Sequence, residues 1–483
     1  MKRSAIFTMA LAMLSAAYGA NVTYDIGKDI VTEDFWKSDP NLFVESHREQ
    51  GFRATLGVRD SKRPEGADTR LDGAVTYNGI PVYETKVYFG ATGGIERVEL
   101  LLFTAAGTEA FVTMHTDGGG MRGRYVRKEK TITRDEFVDL VKRVRTGLTP
   151  AGSTPPPQVA ARTSKQDIVQ KSQTWPKTSV PTVATLTWNY AQDGRRTETF
   201  KAGFVRLTVD GPARLASGGR QMAIGGASEA KGAKKTIASN VIRESNGDVF
   251  INNVPMVDQG QKGYCAAATS ERVLRYYGVE VDEHEIAQAA GTTAEGGTST
   301  LEMKNSVQAI GRRYKLGTVV TYGDFEKSHA ERCASLAKEV ANYNKAAKKL
   351  RKVEIGPEVY ISKRGGASYY DPIAADAAME PEVLREMKVN GSQKSKFTKF
   401  MKDIRQQVEK GIPLFWGVTL GTYQETDIPQ SKGGHMRLII GYNDKTKEVI
   451  YSDSWGKGHE LKRMPADWAW TISHCLMYMK PLR

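Results

Sequence analysis

A chain of 483 residues with 26% charged and 40% hydrophobic residues, 47 Gly and 18 Pro has the composition of roughly two to four folded units. This excludes wholesale disorder, a collagen-like repeat and a polytopic membrane protein. The 69 Lys and Arg against 55 Asp and Glu leave +14 at pH 7, which favours anionic cell-surface components, polyanions or acidic proteins as partners and names none of them.

Lys2 and Arg3 precede an apolar stretch from Ala5 to Leu14, and the small residues Ala17 and Gly19 flank Tyr18. This is the pattern of a cleaved secretory signal over residues 1–19. The apolar stretch is too short to span a bilayer, and no later run of about 18 apolar residues occurs. The expectation is an exported chain, secreted or periplasmic, with no transmembrane anchor after cleavage.

Residues 20–148 read as an α+β module. Tyr83, Thr85, Val87 and Phe89 alternate, Gly90 to Gly94 break the run, and Val98, Leu100 and Leu102 alternate again, which predicts a hairpin. Thr133 stands ahead of a helical stretch with Phe137, Leu140, Val141 and Val144 on one face. Residues 149–160 are Pro-rich and read as a stiff linker. Residues 161–210 read as a β-rich module, with period-two strands around Leu186–Trp188–Tyr190 and Val205–Leu207–Val209. Residues 211–239 turn to Gly, Ala, Ser and Lys without periodicity and read as a flexible linker.

The last unit, 240–483, is denser in signals. Cys265 opens a helical stretch closed by Gly278, and Asp282 with Glu285 forms a capping box ahead of a shorter one. A third helix, capped by Thr298 or Ser299, ends near Gly311. Cys333, Leu336, Val340, Tyr343, Ala347 and Leu350 follow at steps of three and four, predicting a long amphipathic helix with Cys333 as a buried packing residue. Lys338, Lys345, Lys349 and Lys352 form its other face, a solvated basic surface before it is a polyanion site. A helix over 394–410 then runs into the apolar segment 412–420, and the segments around 435–444 and 448–455 supply two more strands. Helices first and sheet afterwards predict a domain of α+β class.

Three cysteines, Cys265, Cys333 and Cys475, are too few for a disulfide scaffold, and their odd number leaves a free thiol. Cys265 lies at a loop-to-helix junction, where unpaired backbone N–H groups and the helix dipole favour thiolate, the nucleophilic form. Of the seven histidines, His435 has a setting suited to partner it: Gly433 and Gly434 leave its approach open and a stiff strand follows. Asp453, 18 residues on at the end of the next strand, is placed to orient the imidazole. The remaining signals are weaker. His284–Gln288 lacks the second His of a zinc motif, His459, His474 and Cys475 lack a fourth ligand and read as structural, and no phosphate-binding Gly loop appears. No metal, cofactor or specific nucleic-acid partner is expected.

The segment from Gln259 to Ala266, QGQKGYCA, resembles the Gln-to-Cys segment of papain-family peptidases, with the Gln six residues ahead of the Cys. The strand from His435 to Tyr442 is similar to the family's His strand, and Asp453–Ser454–Trp455–Gly456 is similar to its Asn-Ser-Trp-Gly. Ala266, Lys262 and Asp453 replace the family's Trp, a disulfide Cys and the Asn. With Val254–Pro255, the CAAATSERVLRYYG helix and GGTST at 296–300, these departures look closest to the bacterial double-glycine-leader peptidase branch.

The resemblance covers about residues 250–320 and 395–460, with 321–394 as an insertion. It implies a papain-like domain, helical half plus antiparallel sheet half, behind β-rich α+β N-terminal modules. It also implies an exported thiol protease acting on protein or peptide substrates without cofactor. Cys265 would be the nucleophile, His435 the general acid/base, Asp453 its orienter, Gln259 the oxyanion donor and Trp455 a supporting residue. Two alternatives stay open: a catalytically silent papain-like domain in a secreted binding protein, and a cysteine acyltransferase or cell-wall amidase.

Overall fold

The computed structural model describes residues 23–56, 64–71, 73–90, 93–105, 108–115, 121–128, 131–163, 168–177, 179–192, 200–216, 237–257, 259, 264–279, 281, 286, 304–305, 307–308, 311–312, 315–323, 329–364, 367–426, 433–456 and 458–481. The signal segment, the Asp282–Glu285 capping box, the Thr298/Ser299 cap and the GGTST run fall outside these residues. The chain divides into two units, residues 1–227 with 293–295 and residues 228–292 with 296–483. Among the described residues no helix is long and apolar enough to cross a membrane.

The N-terminal unit is built on one sheet of eight strands. In spatial order they are Val159–Thr163, Ile168–Lys177, Thr182–Gln192, Phe200–Asp210, Ile95–Thr104, Glu84–Phe89, Pro64–Thr69 and Arg53–Leu56. The expected hairpin is present as Glu84–Phe89 against Ile95–Thr104. The separation into modules 20–148 and 161–210 is not observed. Phe200–Asp210 pairs antiparallel with Ile95–Thr104, placing Leu207 opposite Leu100, so both stretches share one sheet. The physical reason is burial: Val98, Leu100, Leu186, Leu207 and the Phe137, Val141 and Val144 stripe of the Arg134–Leu148 helix form one hydrophobic cluster. Thr133 and Glu136 close a capping box at that helix. The Pro-rich connection yields to strand at Val159, and Pro212–Ala216 is a helical turn where a linker was expected.

The C-terminal unit carries a second eight-stranded sheet. Val241–Arg243, Asp248–Ile251, Gly433–Asn443, Leu414–Leu420, Ser473–Pro481 and Leu316–Gly323 follow in order, with Glu448–Ser452 and Lys462–Pro465 joined beside Gly433–Asn443. Every pairing in it is antiparallel. The unit begins ahead of residue 240: Ile237–Asn240 is a helical turn, Asn240 Nδ2 donates to the Tyr276 hydroxyl, and that hydroxyl donates to the Gly411 carbonyl. Gly411 closes the Lys394–Val408 helix at φ 71°, and a Cβ there would lie 2.1 Å from the Ile237 carbonyl oxygen, so both the left-handed backbone and the close approach require glycine.

The expected insertion starts later than residue 321, because Leu316–Gly323 is a strand of the main sheet. Beyond it, the His329–Leu350 helix, a hairpin of Ile361–Arg364 with Ala367–Tyr370, and the Pro381–Val389 helix surround a core of their own, with Leu336, Val340 and Tyr343 against Met379, Val383 and Met387. Cys333 is not in that core. It sits half-exposed at the rim of the stripe with its Sγ 3.9 Å from the Tyr370 carbonyl oxygen, because the cluster begins one turn later at Leu336. On the basic face, Lys349 and Lys352 are paired with Glu386 and Glu380 at 2.5 and 2.9 Å, which reduces the net charge of the stripe.

Cys475 is buried and in no disulfide, on the Ser473–Pro481 strand between Leu414–Leu420 and Leu316–Gly323. It packs against Gly417 on the neighbouring strand, where an added Cβ would lie 2.6 Å from its Sγ. Gly417→Ala is therefore expected to destabilise the C-terminal unit by about 1–3 kcal/mol through overpacking. Adding Cys475→Ala should recover most of the loss. Urea unfolding of the single and double variants checks this, and a single variant as stable as the parent would show slack between the two strands.

Candidate active site

The Cys265–Tyr276 helix begins at the nucleophile candidate itself. Its N-cap is Tyr264, and no side chain caps the first turn. Its backbone N–H groups there have no i−4 carbonyl within the helix, so the positive end of the dipole lies at the thiol. Cys265, Thr269 and Arg272 share one helical face at steps of four and three. Thr269 Oγ1 donates to the Met436 carbonyl at 3.3 Å, docking the helix on the strand that carries His435.

On that strand, successive side chains alternate faces, so His435 and Arg437 lie on the same side. Both meet Asp453, which follows the Glu448–Ser452 strand. His435 Nε2 lies 2.6 Å from Asp453 Oδ1, and Arg437 Nε donates to Asp453 Oδ2 at 2.7 Å. With Nε2 engaged by the carboxylate, the hydrogen bond between His435 and Cys265 falls to Nδ1. Asp453 has no exposed surface and His435 keeps 5%, whereas Cys265 is only partly buried and so open to a substrate.

The electrostatics follow from this chain of contacts. Burial opposes the Cys265 thiolate, but the hydrogen bond and charge of His435, with the Met436 backbone N–H, outweigh it and hold the thiol below its ordinary range. Burial would likewise lower His435, and the charge and hydrogen bond of Asp453, then Cys265, override it and raise the imidazole to about 9. Asp453 stays ionised despite its burial because the charges of His435 and Arg437, the His435 hydrogen bond and the Ser454 N–H hold it well below the usual carboxylate range. The pair is thus disposed to exist as thiolate and imidazolium through neutral pH.

Gln259 is brought to the same place by Ser454. Its backbone N–H donates to the Ser454 carbonyl at 2.7 Å, and Ser454 Oγ donates to its side-chain Oε1 at 2.6 Å. This occupies the acceptor end of the amide and turns the NH₂ end, the one an oxyanion needs, away from Ser454. Trp455 stacks on the His435 ring with centroids 4.5 Å apart and planes 17° from parallel, shielding the imidazole from water.

All five residues singled out in the sequence are therefore drawn into one connected site. Two others were missed. Arg272, with no exposed surface, donates from Nε to the Pro255 carbonyl at 2.7 Å and from Nη1 to the Asp453 carbonyl at 3.0 Å, tying the Cys helix to the segment before Gln259 and to the Asp453 turn. Arg437 holds Asp453 from the side opposite His435. The available signals were a Cys–Thr–Arg stripe on a helix otherwise apolar on that side, and one charged residue inside the run MRLII. His474 lies elsewhere in the unit, its Nε2 2.5 Å from Thr419 Oγ1, whereas His459 borders the site: its carbonyl accepts the Asp453 N–H at 2.8 Å and its ring meets Trp455 edge-on with centroids 5.7 Å apart.

A Cys at a helix start, docked against a His strand in an antiparallel sheet, defines the C-terminal unit as a cysteine-type peptidase domain of papain-like α+β fold. Residues 251–348 and 332–476 match the model of the Peptidase_C39 like family. The two matched stretches meet within the His329–Leu350 helix. Among solved structures, the peptidase domain of Streptococcus ComA, a bi-functional ABC transporter involved in a quorum-sensing pathway, is similar over 47% of this chain and 99% of its own, at 10% identity and a TM-score of 0.23. Xylellain, a cysteine protease from Xylella fastidiosa, is similar over 52% of this chain and 90% of its own, at 13% identity and a TM-score of 0.24. Comparison with curated proteins finds no match.

The charge of Asp453 sets the alkaline side of any pH–rate profile. The imidazolium is present below about 9 and lost as pH rises through that value. Asp453→Asn removes the charge, so the alkaline limb should move down towards the ordinary imidazole range near 6.5. Profiles of kcat/KM for the two proteins check this, and an unmoved limb would reduce Asp453 to a scaffold.

Proposed function

We propose that the chain is an exported bacterial cysteine peptidase that hydrolyses peptide bonds through Cys265, His435 and Asp453, with Gln259 in the oxyanion hole. The observation that carries this reading is the bridging imidazole: one ring nitrogen on the buried Asp453, the other on a partly open Cys265 at the positive end of a helix. Cys265 Sγ attacks the scissile carbonyl carbon, and the oxyanion that forms is met by the Gln259 amide and the first-turn backbone N–H of the Cys265 helix. The tetrahedral adduct collapses to a thioester as the His435 imidazolium gives its proton to the leaving amine. His435, now neutral, takes a proton from water, which attacks the thioester and releases the acid product and the Cys265 thiolate, restoring the thiolate–imidazolium pair. Asp453 holds the ring's orientation throughout, and Trp455 keeps solvent from the His435–Asp453 hydrogen bond.

Export rests on residues 1–19, whose basic start, short apolar stretch and small-residue end have the form of a secretory signal. The cellular place is then the periplasm or the medium. Substrates are proteins or peptides, and the net charge of +14 favours partners that are acidic or anionic at the cell surface. Release of two peptides from a diverse peptide library is the expected result. Transfer of the acyl group to an added amine with no hydrolysis would favour an acyltransferase, and no turnover with an alkylatable Cys265 would favour a binding domain.

Gln259→Ala removes one preorganised donor to the developing oxyanion and should lose on the order of 10²–10³ in kcat with KM little changed. Steady-state kinetics on the best library peptide checks it. Near-parental turnover would make Gln259 a turn residue.

A further inference from the structure

Arg437 is buried without exposed surface and joins two carboxylates. Its Nε donates to Asp453 Oδ2 at 2.7 Å and its Nη1 to Glu425 Oε1 at 2.9 Å. The Tyr451 hydroxyl donates to the other oxygen, Glu425 Oε2, at 2.5 Å, and the guanidinium lies 4.8 Å from the Tyr451 ring centroid. A lone buried carboxylate beside His435 would cost several kcal/mol. It would also bind the imidazole proton so strongly that the ring would become a poor acid towards the leaving amine.

We propose that Arg437 is a positioning residue for the peptidase reaction: it takes the second oxygen of Asp453, fixes the plane in which the carboxylate holds His435, and limits the carboxylate's grip on the imidazole proton. Glu425, in turn, draws on Arg437 from its far side and sets how much of that positive charge reaches Asp453. This inference rests on the catalytic reading of Cys265, His435 and Asp453. The groups that face this line from each packed element are Cys265 and Arg272 on the Cys helix, Glu425 on the segment before the His strand, Tyr451 on the next strand, and Glu460 in the turn after Asp453, which acts on Arg272. Of these, only Arg437 donates to the oxygen of Asp453 that His435 does not use, so its charge is the one directly set against that of the carboxylate.

The test is the titration of the His435 ring by ¹⁵N NMR in the full chain, assigned with His435→Gln and paired with pH profiles of kcat/KM. Glu425→Gln keeps an acceptor for Tyr451 and frees Arg437 to act on Asp453, so the His435 titration should move down by about half a pH unit. Arg437→Met with Glu425→Gln removes both members of the second ion pair, an exchange that buried sites tolerate, and should move the titration up by about one unit or more. Arg437→Lys keeps the charge but not the fixed fork of donors. It should leave the titration near its parental value while kcat falls roughly tenfold or more from misplacement. A purely structural Arg437 gives no such opposed pair, so shifts of the same sign, or none in Glu425→Gln, overturn the inference while leaving the triad in place. A parental His435 that titrates as an ordinary imidazole overturns the catalytic reading and this inference with it.

Discussion

A carboxylate with no exposed surface is the centre on which the C-terminal unit is assembled. Asp453 holds its charge in the interior only because each of its oxygens is engaged: Oδ1 by His435 and the Ser454 N–H, Oδ2 by Arg437, and its backbone carbonyl by Arg272. Removing one partner of a buried ion pair costs about 3–5 kcal/mol, because the other charge is then left uncompensated. The partners come from three places in the chain, the Cys helix with Arg272, the His strand with His435 and Arg437, and the Asp453 turn itself with Ser454, which also holds Gln259. The energetic need to satisfy one buried charge therefore also brings Cys265, His435 and Gln259 into register. Stability and reactivity share the same contacts.

Placing an Asp where the papain-like pattern has Asn changes the balance of that site. A neutral amide orients the imidazole and leaves its proton affinity nearly alone, whereas a carboxylate raises it. The line His435, Asp453, Arg437, Glu425, Tyr451 reads as a way to carry that charge with alternating signs, each group hydrogen-bonded to the next. Alternation limits the field at any one member, which is how a buried network stays polar without expelling its charges.

The residues of the candidate site were legible in the sequence because thiolate chemistry demands particular types at particular junctions: a Cys at a helix start, a His opening a stiff strand, an acidic residue at the end of the next. Gln259 was legible only through its spacing from Cys265 and its likeness to a known segment. Arg272 and Arg437 were not, because a lone Arg in an apolar pattern reads as a snorkelling surface residue until the contacts that bury it are seen. The register that joins Leu207 to Leu100 across more than a hundred residues was likewise invisible, since alternation marks a strand's faces without naming its neighbour. Cys333 shows the converse error: it fits the apolar stripe by spacing, yet the stripe's partners begin at Leu336 and the thiol stays at the rim.

On the proposed reading Cys265 and His435 form an ion pair in the resting protein. That pairing is tested most directly by alkylation of Cys265 with iodoacetamide across pH, resolved by site with mass spectrometry, in the parental chain and in His435→Ala. The account predicts that the parental Cys265 is alkylated rapidly well below pH 8, and that loss of His435 moves the reactivity up to the range of an ordinary thiol, near 8.5. A parental Cys265 that reacts only above about pH 8, unchanged by loss of His435, would contradict it.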